Sequence, residues 1–428
     1  MKDLFKDLGS KKKICKSFKE IRDYISDFPS KKMMNEVFNT FGNSDKDFVE
    51  QFQTHGFDAR CFELYLHAVF QELGFKELKT KDNPDFLLEK DEVQIAIEAT
   101  TCNPSMPNHE LISNGSIEEK LENEYPIKWF SCIERKVKKK YSESEQCKDK
   151  PLVIALEDFH ERTSLQYPFI SLFNYLYGVK YDVDNGSVIK IDKHIKRNGS
   201  TIESGLFHQE EARDVSAILF SNSGTTAKFK RMGYYKGYYF GNLKLIRKGL
   251  QRDNTGNKLY SPERFCYNLD FCKSENWTDD IVLFINPNAR IQLPVNLFGD
   301  IAKVSFKNNE LKYKFPSKFI YSSFTRAFFR IPEHQPKNID GIMKKARESL
   351  KKSCRSLDNI EKEWYLSRDN KLMGIIVHNI EHNLYKTEIF GVNGLSYTYK
   401  SEKEYSTIQL ARDELFSIVG FDIINNNL

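Results

Sequence analysis

NPDFLLEKDEVQIAIEATT, Asn83 to Thr101, holds two short apolar runs around a tight turn, with an acid at the same end of each. Asp85–Glu89 and Val93–Thr100 read as strands, and Asp91-Glu92 between them as a hairpin turn. Asp85 starts the first strand and Glu98 lies near the end of the second, so the hairpin brings both carboxylates within reach of one cation. A carboxylate in a strand core is costly unless it is paired, hydrogen-bonded or on a metal. Plain structural alternatives stand beside that reading. Asp85 after Pro84 suits an ordinary turn, and Glu98 suits an ion pair with a core Arg or Lys.

The flanks give the hairpin its setting. Residues 12–53 read as polar-faced helices. A helix then opens at Asp58 as N-cap, carries the apolar stripe Phe62, Leu66, Val69, Phe70 and Leu73, and closes at Gly74. Phe75–Thr80 is a further strand before the hairpin. Beyond it come a polar loop (Asn103–Gly115), a helical region from Ser116 to Tyr141 interrupted at Pro126, and the buried strand Pro151–Phe159. Further on, Tyr167–Gly178 predicts a helix and Val215–Asn222 a strand. Lys228–Asn242 and Asp280–Pro294 read as β-rich, and Lys344–Leu357 and Thr407–Val419 as helices.

Two carboxylates at one end of a hairpin suit a hard divalent ion, which takes oxygen ligands and keeps sites for water and phosphate. The Ala99 carbonyl offers a third oxygen, and Glu63 on the preceding helix another acid.

The order helix–β–β–β–helix–β, with Pro84-Asp85 and Glu98-Ala99-Thr100, resembles the PD-(D/E)xK nuclease superfamily over about Asp58 to Phe159. The resemblance implies an α/β (α+β mixed) protein with a restriction-endonuclease-like core. It also implies Mg²⁺, or Mn²⁺ in its place, held by Asp85, Glu98 and Ala99, with Glu63 as the helix acid. One departure is plain: Thr100 stands where the family has a lysine, and a hydroxyl cannot supply the missing positive charge. The following helix offers Lys136, Lys139 and Lys140, of which Lys136 is the preferred donor. The implied activity is that of a metal-dependent endonuclease acting on nucleic acid, DNA ahead of RNA, as in restriction or anti-phage defence. A homodimer would suit cleavage of both strands. The alternative is a degenerate nuclease fold that binds nucleic acid or a partner without cutting.

The chain has 428 residues, with 65 Lys plus Arg against 60 Asp plus Glu, so any basic character is local: Lys11–Lys19, Arg135–Lys140 and Lys344–Arg355. The expected division is a helical segment (1–57), a nuclease-like domain (58–225) and a mixed α/β region (226–428) that helps bind substrate. Eight scattered cysteines form no C-x-x-C pair, which argues against structural zinc. No signal-like or membrane-length apolar run appears, so a cytoplasmic, soluble protein is expected. His378–His382 (HNIEH) matches an inverted zinc-peptidase pattern, but Ile375, Ile376, Val377 and Ile380 favour a strand over the helix that chemistry needs. Asp158 and His160 end a strand at the expected active edge. The Lys228, Lys230, Arg231 and Lys236 group among tyrosines is a candidate for phosphate contact.

Overall fold

The computed structural model describes residues 3–9, 13–42, 47–80, 83–103, 116–159, 168–181, 187–196, 198–239, 243–255, 259–271, 274–330, 359–367, 372–379, 383–391, 397–400, 404–408 and 410–411. Helices α1 (Lys16–Asp23), α2 (Phe28–Thr40), α3 (Phe48–Gln53) and α4 (Phe57–Glu72) come first, followed by strands β1 (Lys76–Leu78), β2 (Phe86–Lys90) and β3 (Val93–Cys102). The single turn α5 (Ile117–Glu119) runs through a π-helical turn into α6 (Tyr125–Val137), and β4 (Leu152–Asp158) and α7 (Pro168–Tyr177) follow. Two small hairpins come next, β5 (Val179–Tyr181) with β6 (Val188–Lys190) and β7 (Lys193–Ile195) with β8 (Thr201–Glu203). Then come β9 (Val215–Ser221), α8 (Thr226–Tyr235), β10 (Leu243–Arg252), β11 (Pro262–Asn268), β12 (Ile281–Ile285), β13 (Ala302–Lys307) and β14 (Glu310–Lys314). The last strands are β15 (Ile320–Arg330), β16 (Asn359–Ser367), β17 (Leu372–Asn379), β18 (Leu384–Gly391) and β19 (Tyr397–Lys400).

The protein is mixed α/β. Its main sheet has the order β1-β2-β3-β4-β9-β12-β13-β14, with β3, β4 and β9 parallel and the β1–β3 meander antiparallel. Strand alternation divides the sheet's side chains between two cores. Ile95, Ile97, Val153, Ala155, Ala217 and Leu219 pack with the α1–α4 helices, through Phe62, Leu66 and Phe70 of α4. Ala96, Ile154, Leu156, Ile218 and Phe220 meet Trp129 and Ile133 of α6 and Leu172 and Phe173 of α7. Every residue of β4 and β9 is buried, as expected of central parallel strands covered by helices on both faces. Glu98 shares the parity of Ala96 and so belongs to the α6 face.

Local chemistry explains the β2–β3 turn. Lys90 pairs with Val93, and the two loop residues Asp91 and Glu92 have φ of 50° and 64°, the left-handed values that a two-residue hairpin turn needs. Gly74 takes φ +77° just past α4, where a side chain would be strained. Asp58 is not the N-cap expected from the sequence. Gly56 holds that position, and Asp58 lies in the first helical turn. The interruption near Pro126 is a π-helical turn over Lys120–Glu124, next to the residue that has no N–H to donate back into the helix.

The sheet does not stop at residue 225, since β12, β13 and β14 extend it. A second, seven-stranded sheet has the order β11-β10-β15-β16-β17-β18-β19. The expected β structure over Lys228–Asn242 is corrected: its described residues begin in α8. Tyrosine-rich β propensity loses there to buried ion pairs. Lys228 and Arg231 both reach Glu275, Lys228 and Arg247 reach Asp280, and Lys230 lies 2.6 Å from Asp27. The expected helix at Lys344–Leu357 lies outside the described residues, as does most of that at Thr407–Val419.

Candidate active site at the β2–β3 hairpin

The hairpin register runs from Lys90↔Val93 to Phe86↔Ile97, so the next position sets Asp85 against Glu98. Asp85 Oδ2 accepts a hydrogen bond from the Ala99 backbone N–H at 2.8 Å, which fixes the carboxylate at the strand entrance. Lys136 of α6 donates from Nζ to Glu98 Oε2 at 2.7 Å and lies 3.6 Å from Asp85 Oδ2. One ammonium therefore serves both acids. Their environments differ: the Glu98 side chain is 1% exposed and that of Asp85 32%.

Burial pushes the Glu98 carboxyl above its usual range, and the neighbouring charge of Asp85 adds to this. Lys136 opposes both. Glu98 Oε1 and the Tyr141 hydroxyl are both buried, and the hydroxyl favours the ionised form of the carboxyl. Burial and the charge of Glu98 push that hydroxyl's pKa well up, so Tyr141 is a neutral neighbour of the pair.

A cleft of about 670 Å³ opens beside the pair; Asp85 and Lys136 line it, and Glu98 lies behind them. Glu63 lines one side, with its Oε2 2.7 Å from Arg60 Nη1. Asp85, Ala99 and Thr100 form the floor, so Thr100 does face the site. Lys128, Arg135, Lys136 and Lys139 form the far wall, recurring at the three-, four- and seven-residue intervals that keep side chains on one helix face. The adjoining face of α6 buries Tyr125, Trp129 and Ile133. Trp129 Nε1 donates to the buried Asp158 Oδ2 at 2.9 Å, so Asp158 braces α6 against β4.

The structure thus brings Glu63, Asp85, Glu98, Ala99 and Lys136 to one place. Other candidates lie elsewhere. Lys228, Lys230 and Arg231 are buried in ion pairs with acids of the core. His378 sits on strand β17, where its Nε2 is 3.0 Å from Asn383 Oδ1 and its ring stacks on Tyr385, while His160 and His382 lie outside the described residues. Sequence reasoning placed Arg135 only in the basic run Arg135–Lys140, and it missed Lys128 and Tyr141. The seven-residue interval from Arg135 would have found Lys128; nothing local marks Tyr141.

Among the described residues, no group of three or more His, Cys, Asp or Glu side chains is placed to hold a metal ion. The donor set here is two carboxylates and a backbone carbonyl. It fits a magnesium-type ion that draws its other ligands from water and phosphate. No helix among the described residues is long and apolar enough to cross a membrane. Comparison of the chain with protein-family models, curated proteins and solved structures finds no match.

Proposed function

We propose that the protein is a Mg²⁺-dependent nuclease of restriction-endonuclease-like architecture that hydrolyses phosphodiester bonds in nucleic acid. The observation that carries this reading is the reach of Lys136 to both Glu98 and Asp85, which supplies from α6 the positive charge that Thr100 lacks. The αβββαβ succession from α4 to β4 supports it, as does the basic wall of the cleft. Asp85, Glu98 and the Ala99 carbonyl would hold the ion, whose chemistry is to polarise a phosphoryl oxygen and to acidify a water. Lys136 favours the ionised form of the buried Glu98 and offsets the negative charge that builds up on phosphorus. Lys128, Arg135 and Lys139 hold the backbone phosphates, which positions a strand without reading its bases. DNA is the preferred substrate, and two copies would cut both strands of a duplex.

The same ion pair favours a second reading. Lys136 stands where a cation would neutralise the carboxylates, as in a nuclease fold that binds nucleic acid without cutting it. Incubation of plasmid, linear single-stranded DNA and RNA with Mg²⁺ or Mn²⁺ separates the two. Cleavage that requires the ion and vanishes in Asp85→Ala and Glu98→Ala supports the nuclease. Binding without cleavage under every condition supports the second reading.

A further inference from the structure

Cys102 ends β3 and Cys132 lies on α6, one turn before Lys136. Both are free thiols. Cys102 Sγ lies 3.8 Å from the Lys128 carbonyl, the group that accepts the helical hydrogen bond of Cys132 in an α-helix, so this sulfur rests against the turn that carries Cys132. The two thiols belong to one buried cluster around Trp129, and each shifts the proton affinity of the other. Their exposure to reagents differs. Cys132 is 7% exposed and lines the cleft, whereas Cys102 is 1% exposed and does not. No such pairing involves Cys61, whose thiol donates to the Gly224 carbonyl.

We propose that Cys102 and Cys132 form a peroxide-oxidisable dithiol at the edge of the cleft, closing to a reversible disulfide that fastens β3 to α6. The inference does not depend on the nuclease reading, since it rests on the thiol pair and its access alone.

The chemistry assigns separate roles. The neighbouring Cys102, with help from Arg135, holds the Cys132 thiol below its usual range, while burial pushes Cys102 well above. Cys132 is therefore the attacking sulfur. Its thiolate forms an S–O bond to hydrogen peroxide as the O–O bond breaks, and the departing hydroxide takes up a proton and leaves as water. The product is a sulfenic acid on Cys132. The Cys102 sulfur then attacks Cys132: the S–S bond forms, the S–O bond breaks, and the oxygen leaves as a second water with the Cys102 proton. Two thiols are oxidised and one peroxide is reduced to two waters. A dithiol reductant such as dithiothreitol reverses the link by exchange.

The cross-tie has a defined place. Lys136 meets Glu98 and Cys132 meets Cys102, so α6 runs back along β3 and the disulfide would sit one helical turn from the ion pair. Oxidation would fix the spacing between the two elements that carry Glu98 and Lys136.

The test is peptide mass spectrometry on the full chain, treated with hydrogen peroxide and then alkylated. A Cys102–Cys132 cross-linked peptide that dithiothreitol removes is expected, formed about tenfold faster than any oxidation of Cys61 or Cys147. In Cys102→Ser, dimedone should capture a sulfenic acid on Cys132; in Cys132→Ser, Cys102 should stay reduced. The proposal is overturned if Cys132 remains fully alkylatable in the wild type, or if it passes to sulfinic acid with no cross-link. Equal oxidation of the remaining cysteine in the two serine variants overturns it as well. If a serine variant fails to fold, the wild-type cross-link alone decides.

Discussion

Lys136 Nζ lies 2.7 Å from Glu98 Oε2, and this contact joins a helix to the sheet across a carboxylate that is 1% exposed. The relationship fixes the charge balance of the site, because among the described residues neither partner has another ion pair as short. Removing the ammonium should therefore affect stability as well as activity. In Lys136→Met the Glu98 carboxyl, already raised by burial, should rise further. A carboxyl that binds its proton more tightly in the folded state loses stability as pH rises from its unfolded value of about 4.5 through its folded value. Lys136→Met should accordingly match the wild type near pH 4 and lose about 1–3 kcal/mol near pH 8. Urea unfolding at the two pH values checks this; an equal loss at both would contradict it.

Asp85 is separable from the fold by a conservative change. Asp85→Asn keeps an oxygen to accept the Ala99 N–H and removes the charge. We expect wild-type stability, with cleavage reduced by about 10²-fold or more, the scale seen when an electrostatic group is lost from an active site. Asp85→Ala should in addition lose about 1 kcal/mol for the missing acceptor. Thermal unfolding and cleavage measured on the same preparations distinguish the two effects.

Legibility in the sequence follows the range of the interactions. The β2–β3 hairpin was readable because its turn and alternation are local, and Asp85 and Glu98 came with it. The choice of Lys136 depended on helical phase and a preceding motif, and the structure puts it at the carboxylates. The α8 helix was missed because its basic residues are held by Glu275, Asp280 and Asp27, acids far away in the chain. Tyr141 was missed for a similar reason: it reaches Glu98 from a short turn after α6, across a gap no periodicity records. The addition of β12–β14 to the first sheet is likewise a long-range pairing, with β12 lying antiparallel to β9 across some sixty residues of chain.

Glu157 supplies a second pH dependence, independent of the cleft. It is fully buried beneath Gly224, whose backbone offsets only part of the cost of burying its charge. Burial first, and the charge of Asp58 second, hold its carboxyl well above the usual range. Its ionisation therefore opposes folding, so stability is lost as pH climbs above about 4.5. Glu157→Gln should be about 1–3 kcal/mol more stable than wild type near pH 8 and equal to it near pH 4. Denaturant midpoints across that range test the sign; an unchanged pH profile would show that Glu157 does not titrate in the folded protein.

The basic wall makes a separate claim about binding. Lys128, Arg135 and Lys139 line the cleft without touching the bases of a bound strand in the proposed arrangement. Each change to Ala should weaken binding of unrelated sequences alike and lower the slope of log K against log salt by about 1. Fluorescence anisotropy over a salt series measures it. A sequence-dependent loss would assign these residues to base contact.

The most direct test of the central claim compares cleavage by wild type, Lys136→Met and the double variant Lys136→Met/Thr100→Lys, with Mg²⁺ and single-stranded or plasmid DNA. If Lys136 does the work of the absent motif lysine, Lys136→Met should lose about 10²-fold in rate. A lysine at the cleft-facing position 100 should restore part of that loss. Cleavage by Lys136→Met at the wild-type rate, or no cleavage by wild type on any nucleic acid, would contradict the claim.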